Sequence, residues 1–404
     1  MTYAIIIILL LCLIYHYDYQ GHTRYRLGWY ITLMVIFILL AGLRYRLGVD
    51  SIRYERTYPT LPTLSQYFNF DFDSIRYGKG YLLLNAVARS ISDNFVVMQC
   101  ILAIFVNAIL FDFFYRNTSK IFFAVLLYFI LQFVNYNFEI LRESCAVATF
   151  VFAWRYFSTN KWFKYYLCAI VAILFHPSAA ITLIVPLTRL PILSRIFKIN
   201  SWTPWLILGV LGVGVIISKS FVDLITLIQI TDIQDYADTY KDTHYIEGKG
   251  LNIIGMTTTF LNAVCYPGIT GWFIAKGKTL DRQTRNLNYK NSLEAMLMCY
   301  IYIAVLVISI RLFYRFNNYF FPFFALAFSD VIFHKLKFNR KKYKLSFGVW
   351  SLILAPFILI NIYGYLEVMG DYGIRKYHRY YPYDSVIFKE KDKTRERLFM
   401  NEGA

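Results

Sequence analysis

The stretch "GLRYRLGVDSIRY", Gly42 to Tyr54, sets Arg44 and Arg46 a few residues ahead of Asp50 and Tyr54. Guanidinium forks match phosphate oxygens bidentately. Arginines beside a carboxylate therefore form a pattern for holding an anionic, phosphorylated ligand with a proton acceptor in reach. A structural reading stands beside this one, in which the arginines snorkel to lipid headgroups and Asp50 pairs with one of them. Gly48 suits a tight turn or a close backbone approach between them.

Further along, "NFEILRESCA" from Asn137 to Ala146 places Glu139, Arg142 and Glu143 at i, i+3 and i+4. On a single helix they share a face. They are either an internal ion pair or an arginine with a spare carboxylate whose raised pKa would let it accept a proton near neutral pH. His176, in "LFHPSAA", interrupts an apolar segment beside Pro177. It is open to a structural hydrogen-bonding role or to one as base or phosphate partner; no second histidine lies at ligand spacing, which speaks against a metal. "SIRLFYRFNNYF" sets Arg311 and Arg315 one helical turn apart, as phosphate ligands or snorkelling side chains. "YYPYDSV" offers Tyr381 and Tyr383 as sugar-stacking or structural rings. There is no Walker loop, GxGxxG, HExxH or GxSxG, so ATP-driven transport and classical hydrolase chemistry have no support.

The elements that must position these residues follow from composition. Of 404 residues, 58% are hydrophobic and 17% charged, and the apolar runs recur along the whole chain. Roughly ten such runs approach the ~20 residues needed to cross about 30 Å of hydrocarbon, which predicts an all-α polytopic integral membrane protein. The net charge of +17 lies mostly in short loops between apolar runs, where anionic headgroups explain it without nucleic acid. The six scattered cysteines read as inert buried thiols and not as a metal or redox centre.

Spans are expected at about 2–16, 28–43, 95–115, 120–138, 140–158, 202–218, 252–275, 292–311, 314–333 and 345–366. The first reads as a retained span, not a cleaved signal peptide. Residues 80–92 are short and polar for a span, and 162–187 is broken at His176-Pro177-Ser178. The basic loops all fall on the cytoplasmic side only if 80–92 does not cross and 162–187 enters and returns at His176. That gives about ten to twelve transmembrane helices with a re-entrant or broken helix near His176. It also gives a transmembrane domain over 1–366 with outer loops at 44–79 and 219–250, and a polar tail over 367–404. The loop arginines, the start of the Arg142 helix, His176 and Arg315 then face outward. Outward arginines break the positive-inside tendency and call for a local reason.

In their order across the chain, "GLRYRLGVDSIRY", the Arg142-centred "LRESCA", "LFHPSA", the Arg315-centred "YRFNNYF" and "YYPYDSV" make the sequence similar to the EpsG family of Wzy-like membrane proteins of exopolysaccharide and capsule assembly. The resemblance implies a GT-C-like, metal- and cofactor-independent polymerase at the outer face of the bacterial cytoplasmic membrane. Such an enzyme joins oligosaccharide repeat units carried on undecaprenyl diphosphate, with a chain-length regulator and other assembly proteins as partners. On that reading Arg44, Arg46, Arg142 and Arg315, with Arg311, cradle the diphosphate. Asp50, Glu143 and His176 are the candidate bases, and Tyr54, Tyr381 and Tyr383 are sugar-binding or structural. A flippase for lipid-linked oligosaccharide and a glycan ligase are the rivals. Two departures stand out. The family commonly carries Glu-Pro before an aromatic where this chain reads "YGKGYLLLN", Tyr77 to Asn85, and glutamine where this chain has Glu143.

Overall fold

The computed structural model describes residues 2–75, 77–227, 257, 260–276, 287–310, 313–337, 357–359, 361, 363–366, 368–369 and 374–388. The protein is an all-α polytopic membrane protein. Among the described residues the strands are limited to a two-residue antiparallel pair, Val368–Met369 with Ile374–Arg375. Three described helices, Thr2–Tyr19, Phe95–Asn117 and Leu287–Ser309, are long and apolar enough to cross a membrane; shorter apolar helices include Arg26–Gly42, Ile121–Phe133, Trp162–Phe175 and Thr203–Ile216. The chain divides into two compact units, 1–183 with 358–404, and 184–357.

The first unit is built on α1 (Thr2–Leu13, prolonged by π turns to Tyr19), α2 (Arg26–Gly42), α3 (Val49–Thr57), α4 (Lys79–Ile91), α5 (Phe95–Asn117), α6 (Ile121–Tyr128), α7 (Leu141–Phe157) and α8 (Trp162–Phe175). Unbroken apolar runs of about 20 residues satisfy their own backbone hydrogen bonds as helices, the only open-chain solution in lipid. α2 lies along α5 and α7 along α8. Gly42 permits the first contact, since a Cβ there would sit 2.9 Å from Cys100 Sγ. α4 buries Tyr81, Leu82, Asn85 and Ala86 against α5 and α8 while Leu83, Val87 and Ile91 are exposed. Its 13 residues span roughly 20 Å, too short to cross alone.

Two breaks shape this unit. After α6 the chain continues in π turns, Phe129–Phe133 and Asn135–Glu139, and then kinks at Ile140 (φ −93°, ψ 51°) before α7 begins. Glu139 therefore does not ride on the helix of Arg142 and Glu143, because the kink destroys the 3.6-residue phase that the shared-face expectation assumed. A closed ring of two buried amides and a phenol fixes the segment. Asn107 Nδ2 donates to Asn137 Oδ1 (2.8 Å), Asn137 Nδ2 donates to Tyr128 Oη (2.8 Å), and Tyr128 donates to Asn107 Oδ1 (2.9 Å). The second break is at His176, where α8 stops, a 3-10 turn Pro177–Ala180 follows, and a short helix Ile181–Ile184 continues. Proline lacks the N–H an α-helix needs at that point.

The second unit contains Thr203–Leu227, Tyr266–Ala275, Leu287–Ser309 and Tyr314–Lys337, the last with Pro322 inside it. The helix that begins at Thr203 runs on to Leu227, past the end expected near 218. Most of the expected 219–250 loop and the start of the 345–366 span lie outside the described residues. Of the tail, residues 374–388 pack into the first unit and are described with its site.

Candidate functional site

At the C-terminal end of α2 the chain turns sharply through Arg44 to Gly48. Arg46 takes φ +48° and Gly48 takes φ +88°, where a Cβ would lie 2.5 Å from Phe138 O. The turn is held by the tail. Tyr45 N donates to Asp384 O (2.9 Å), Val386 N to Leu43 O (2.8 Å) and Gly48 N to Arg379 O (3.1 Å), with a bridge between Arg44 and Ser385. Tyr383 donates to Leu40 O (3.1 Å) and meets the Tyr3 ring edge-on, whereas Tyr381 is exposed. "YYPYDSV" is thus a strap over the arginine turn, and Tyr383 is part of its fastening.

Arg44 is consequently buried, with 1% of its surface exposed. It donates to Ala41 O and stacks on Phe138 (5.3 Å), while its Nε and Nη2 find no acceptor among the described residues. Burial lowers its pKa to about 10, still charged at neutral pH. A narrow gap beside it is lined by Gln99, Tyr136, Asn137 and Ser144 together with apolar residues such as Leu102 and Leu141. Arg46, half exposed, pairs with Glu55 (Nε to Oε2, 3.0 Å).

Arg142, in the first turn of α7, is gripped by tyrosines. Its Nε donates to Tyr54 Oη (3.2 Å), and its guanidinium lies over the Tyr77 ring (4.8 Å). Tyr54, Tyr77 and Tyr81 pack on one another with centroids 5.5 to 5.9 Å apart. Burial pushes Tyr54 up to about 12, so it remains a neutral phenol and cannot serve as the base. Two glycines set Tyr77 in place. A Cβ at Gly78 would strike the carbonyl oxygens of Leu174 and Phe175, and one at Gly80 would crowd Leu174 (3.1 Å), so "YGKGY" lies tight on the end of α8.

Asp50 stands exposed in the first turn of α3, one turn before Tyr54. Glu143 is buried at 2% exposure, and His176 at 5%. The Nδ1 of His176 accepts from Ser178 N (3.2 Å) and lies 2.6 Å from Ser178 Oγ. Capping the 3-10 turn in this way puts the proton of a neutral ring on Nε2. Glu139 accepts from Tyr380 of the strap (2.7 Å). The first unit thus brings together Arg44, Arg46, Asp50, Tyr54, Arg142 and, behind the glycine bracket, His176. Arg315 begins the helix Tyr314–Lys337 in the second unit, and Arg311 lies outside the described residues. Among the described residues no three His, Cys, Asp or Glu side chains gather as a metal site.

The EpsG family sequence model matches residues 27–385, a stretch that takes in the arginine turn, the α7 arginine, His176 and the strap. The chain belongs to the EpsG family. No curated protein and no solved structure matches it. For this EpsG-family protein, residues that the motifs did not single out matter as much as those they did. Tyr77 holds the arginine with Tyr81 packed against it, Gln99 and Asn137 line the gap by Arg44, and the Asn107–Tyr128–Asn137 ring fixes the segment that leads into Phe138 and Glu139. The paired glycines of "YGKGY" were the sequence signal for Tyr77; the amides, scattered between α5 and the π turn before α7, carried none.

Proposed function

We propose that the protein is a membrane glycosyltransferase, a Wzy-type polymerase. It joins oligosaccharide repeat units carried on undecaprenyl diphosphate at the outer face of the bacterial cytoplasmic membrane, in exopolysaccharide, capsule or O-antigen synthesis. The observation that carries this reading is Arg142, held by Tyr54 and Tyr77, with the exposed Asp50 one helical turn before Tyr54, in a chain of the EpsG family.

In the reaction, a sugar hydroxyl of one lipid-linked unit attacks the anomeric carbon of the other. A glycosidic bond forms, the carbon–oxygen bond to the diphosphate breaks, and the lipid diphosphate departs with the bonding electrons. Negative charge grows on phosphate oxygens, which preorganised arginines stabilise. Arg142 and Arg46 receive the diphosphate, and Arg44 adds a buried positive charge behind them. The family resemblance adds Arg315 and Arg311 as further candidate diphosphate ligands. Asp50 takes the hydroxyl proton, being an exposed acid one helical turn before the Tyr54 that holds Arg142. His176, whose Nδ1 is engaged, donates through Nε2.

A deletion strain tests this directly. Lipid-linked glycans are extracted, weighed by mass spectrometry and assigned to a leaflet. Single repeat units accumulating on the outer leaflet are expected. Units stranded on the inner leaflet would make the protein a flippase, and long polymer left on lipid would make it a ligase.

A further inference from the structure

Between α3 and α4 the loop 61–75 carries an aromatic cluster that the polymerase reading leaves unused. Tyr67 meets Phe68 and Phe72 edge-on (5.6 and 5.3 Å), and Phe70 meets Phe72 edge-on (5.9 Å). Phe68, at the end of the cluster, is 86% exposed, and Phe72 is half-buried. The cluster is tied to the arginine site. Tyr67 donates to Lys79 O (2.8 Å) and the Lys79 ammonium lies 5.3 Å from the Phe72 ring centre, two residues beyond the Tyr77 that stacks on Arg142.

We propose that Phe68 and Phe72, with Asp71 and Asp73 at their edge, form a sugar-binding platform that receives the repeat-unit glycan leading away from the Arg142 site. The charge pattern selects this occupant. The loop 61–75 contains two exposed aspartates and no lysine or arginine of its own, in a chain of net charge +17, and the one basic group described at the cluster, Lys79, lies over the Phe72 ring. Carboxylates repel an anionic bilayer surface but accept hydrogen bonds from sugar hydroxyls. The exposed Phe68 ring can stack on the C–H face of a pyranose with Phe72 beside it, and a few polar groups beside an apolar surface are the usual make-up of a small-ligand site. Asp71 is partly committed, accepting from Asp73 N (3.1 Å), which leaves the Asp73 carboxylate for the ligand.

The inference rests on the glycan-polymerase reading, yet it is tested without that activity. Full-length protein in nanodiscs is titrated, by saturation-transfer NMR, with oligosaccharide fragments made by partial acid hydrolysis of the producing strain's own surface polysaccharide. The wild type should bind them, and the double variant Phe68→Ala, Phe72→Ala should bind at least tenfold more weakly with an unchanged elution profile. Phe68→Trp should keep binding and Phe68→Leu should lose it, because stacking needs a ring whereas contact with lipid needs only an apolar side chain. A wild type that ignores the fragments, or Phe68→Leu binding as well as wild type, overturns the platform; the latter result assigns Phe68 to the bilayer. The polymerase reading fails separately, through the lipid-linked glycans of the deletion strain.

Discussion

The two ends of the first unit treat their arginines in opposite ways. Where α2 begins and α5 and α7 finish, charges are matched. Buried Asp18 sits 3.7 Å from Arg26 and accepts from Phe123 N, its carbonyl accepts from Lys120, and Asp112 takes both Arg116 (2.6 Å) and Arg155 (3.1 Å). Where α2 finishes and α7 begins, Arg46 pairs with Glu55, Arg142 donates to the Tyr54 phenol and lies over the Tyr77 ring, and Arg44 is buried with two N–H groups that find no acceptor among the described residues. Matched charges hold helices together. Arg44, buried with N–H groups unmatched among the described residues, keeps its field, and that is what the proposed leaving diphosphate requires.

The sharpest way to break this contrast is Arg142→Ala. Loss of a preorganised cation from a developing charge should cut polymer formation on the order of 100-fold or more, read as polymer in cell extracts; normal chain lengths would end the assignment. Tyr54→Phe keeps the ring stack and removes the hydrogen bond to Arg142. A bond to a charged group contributes about 1.5–3 kcal/mol, so a fall of roughly 10- to 100-fold is expected, with the elution profile and melting temperature near wild type. Arg44→Met separates field from packing. Replacing a buried, unmatched charge with an apolar side chain is often neutral or stabilising, so the melting temperature in detergent should hold or rise while polymer falls about tenfold. A clear drop in melting temperature would make Arg44 a structural residue like those at the other end. The smallest effect belongs to Arg116→Ala. Its guanidinium is 65% exposed, an exposed pair contributes about 0–1 kcal/mol, and polymer formation should not change.

The sequence by itself determined the class of the protein, because the need to bury backbone polar groups in lipid makes long apolar runs into helices whatever their neighbours are. It also marked Arg44, Arg46, Asp50, Arg142 and His176, since charged groups at the ends of apolar runs are costly and conspicuous, and it located the break at Pro177. What only the tertiary structure decided is which of those charges are compensated. Glu139 left the face of Arg142 because one kink at Ile140 reset the helical phase, and its carboxylate went to Tyr380, far away in the chain. Arg44 went from the lip of a span to the interior because "YYPYDSV", more than 300 residues later, straps the turn down. Tyr77 came under Arg142 because two glycines let its loop touch α8. Burial, pairing and stacking are properties of neighbours in space, and local sequence encodes only neighbours along the chain.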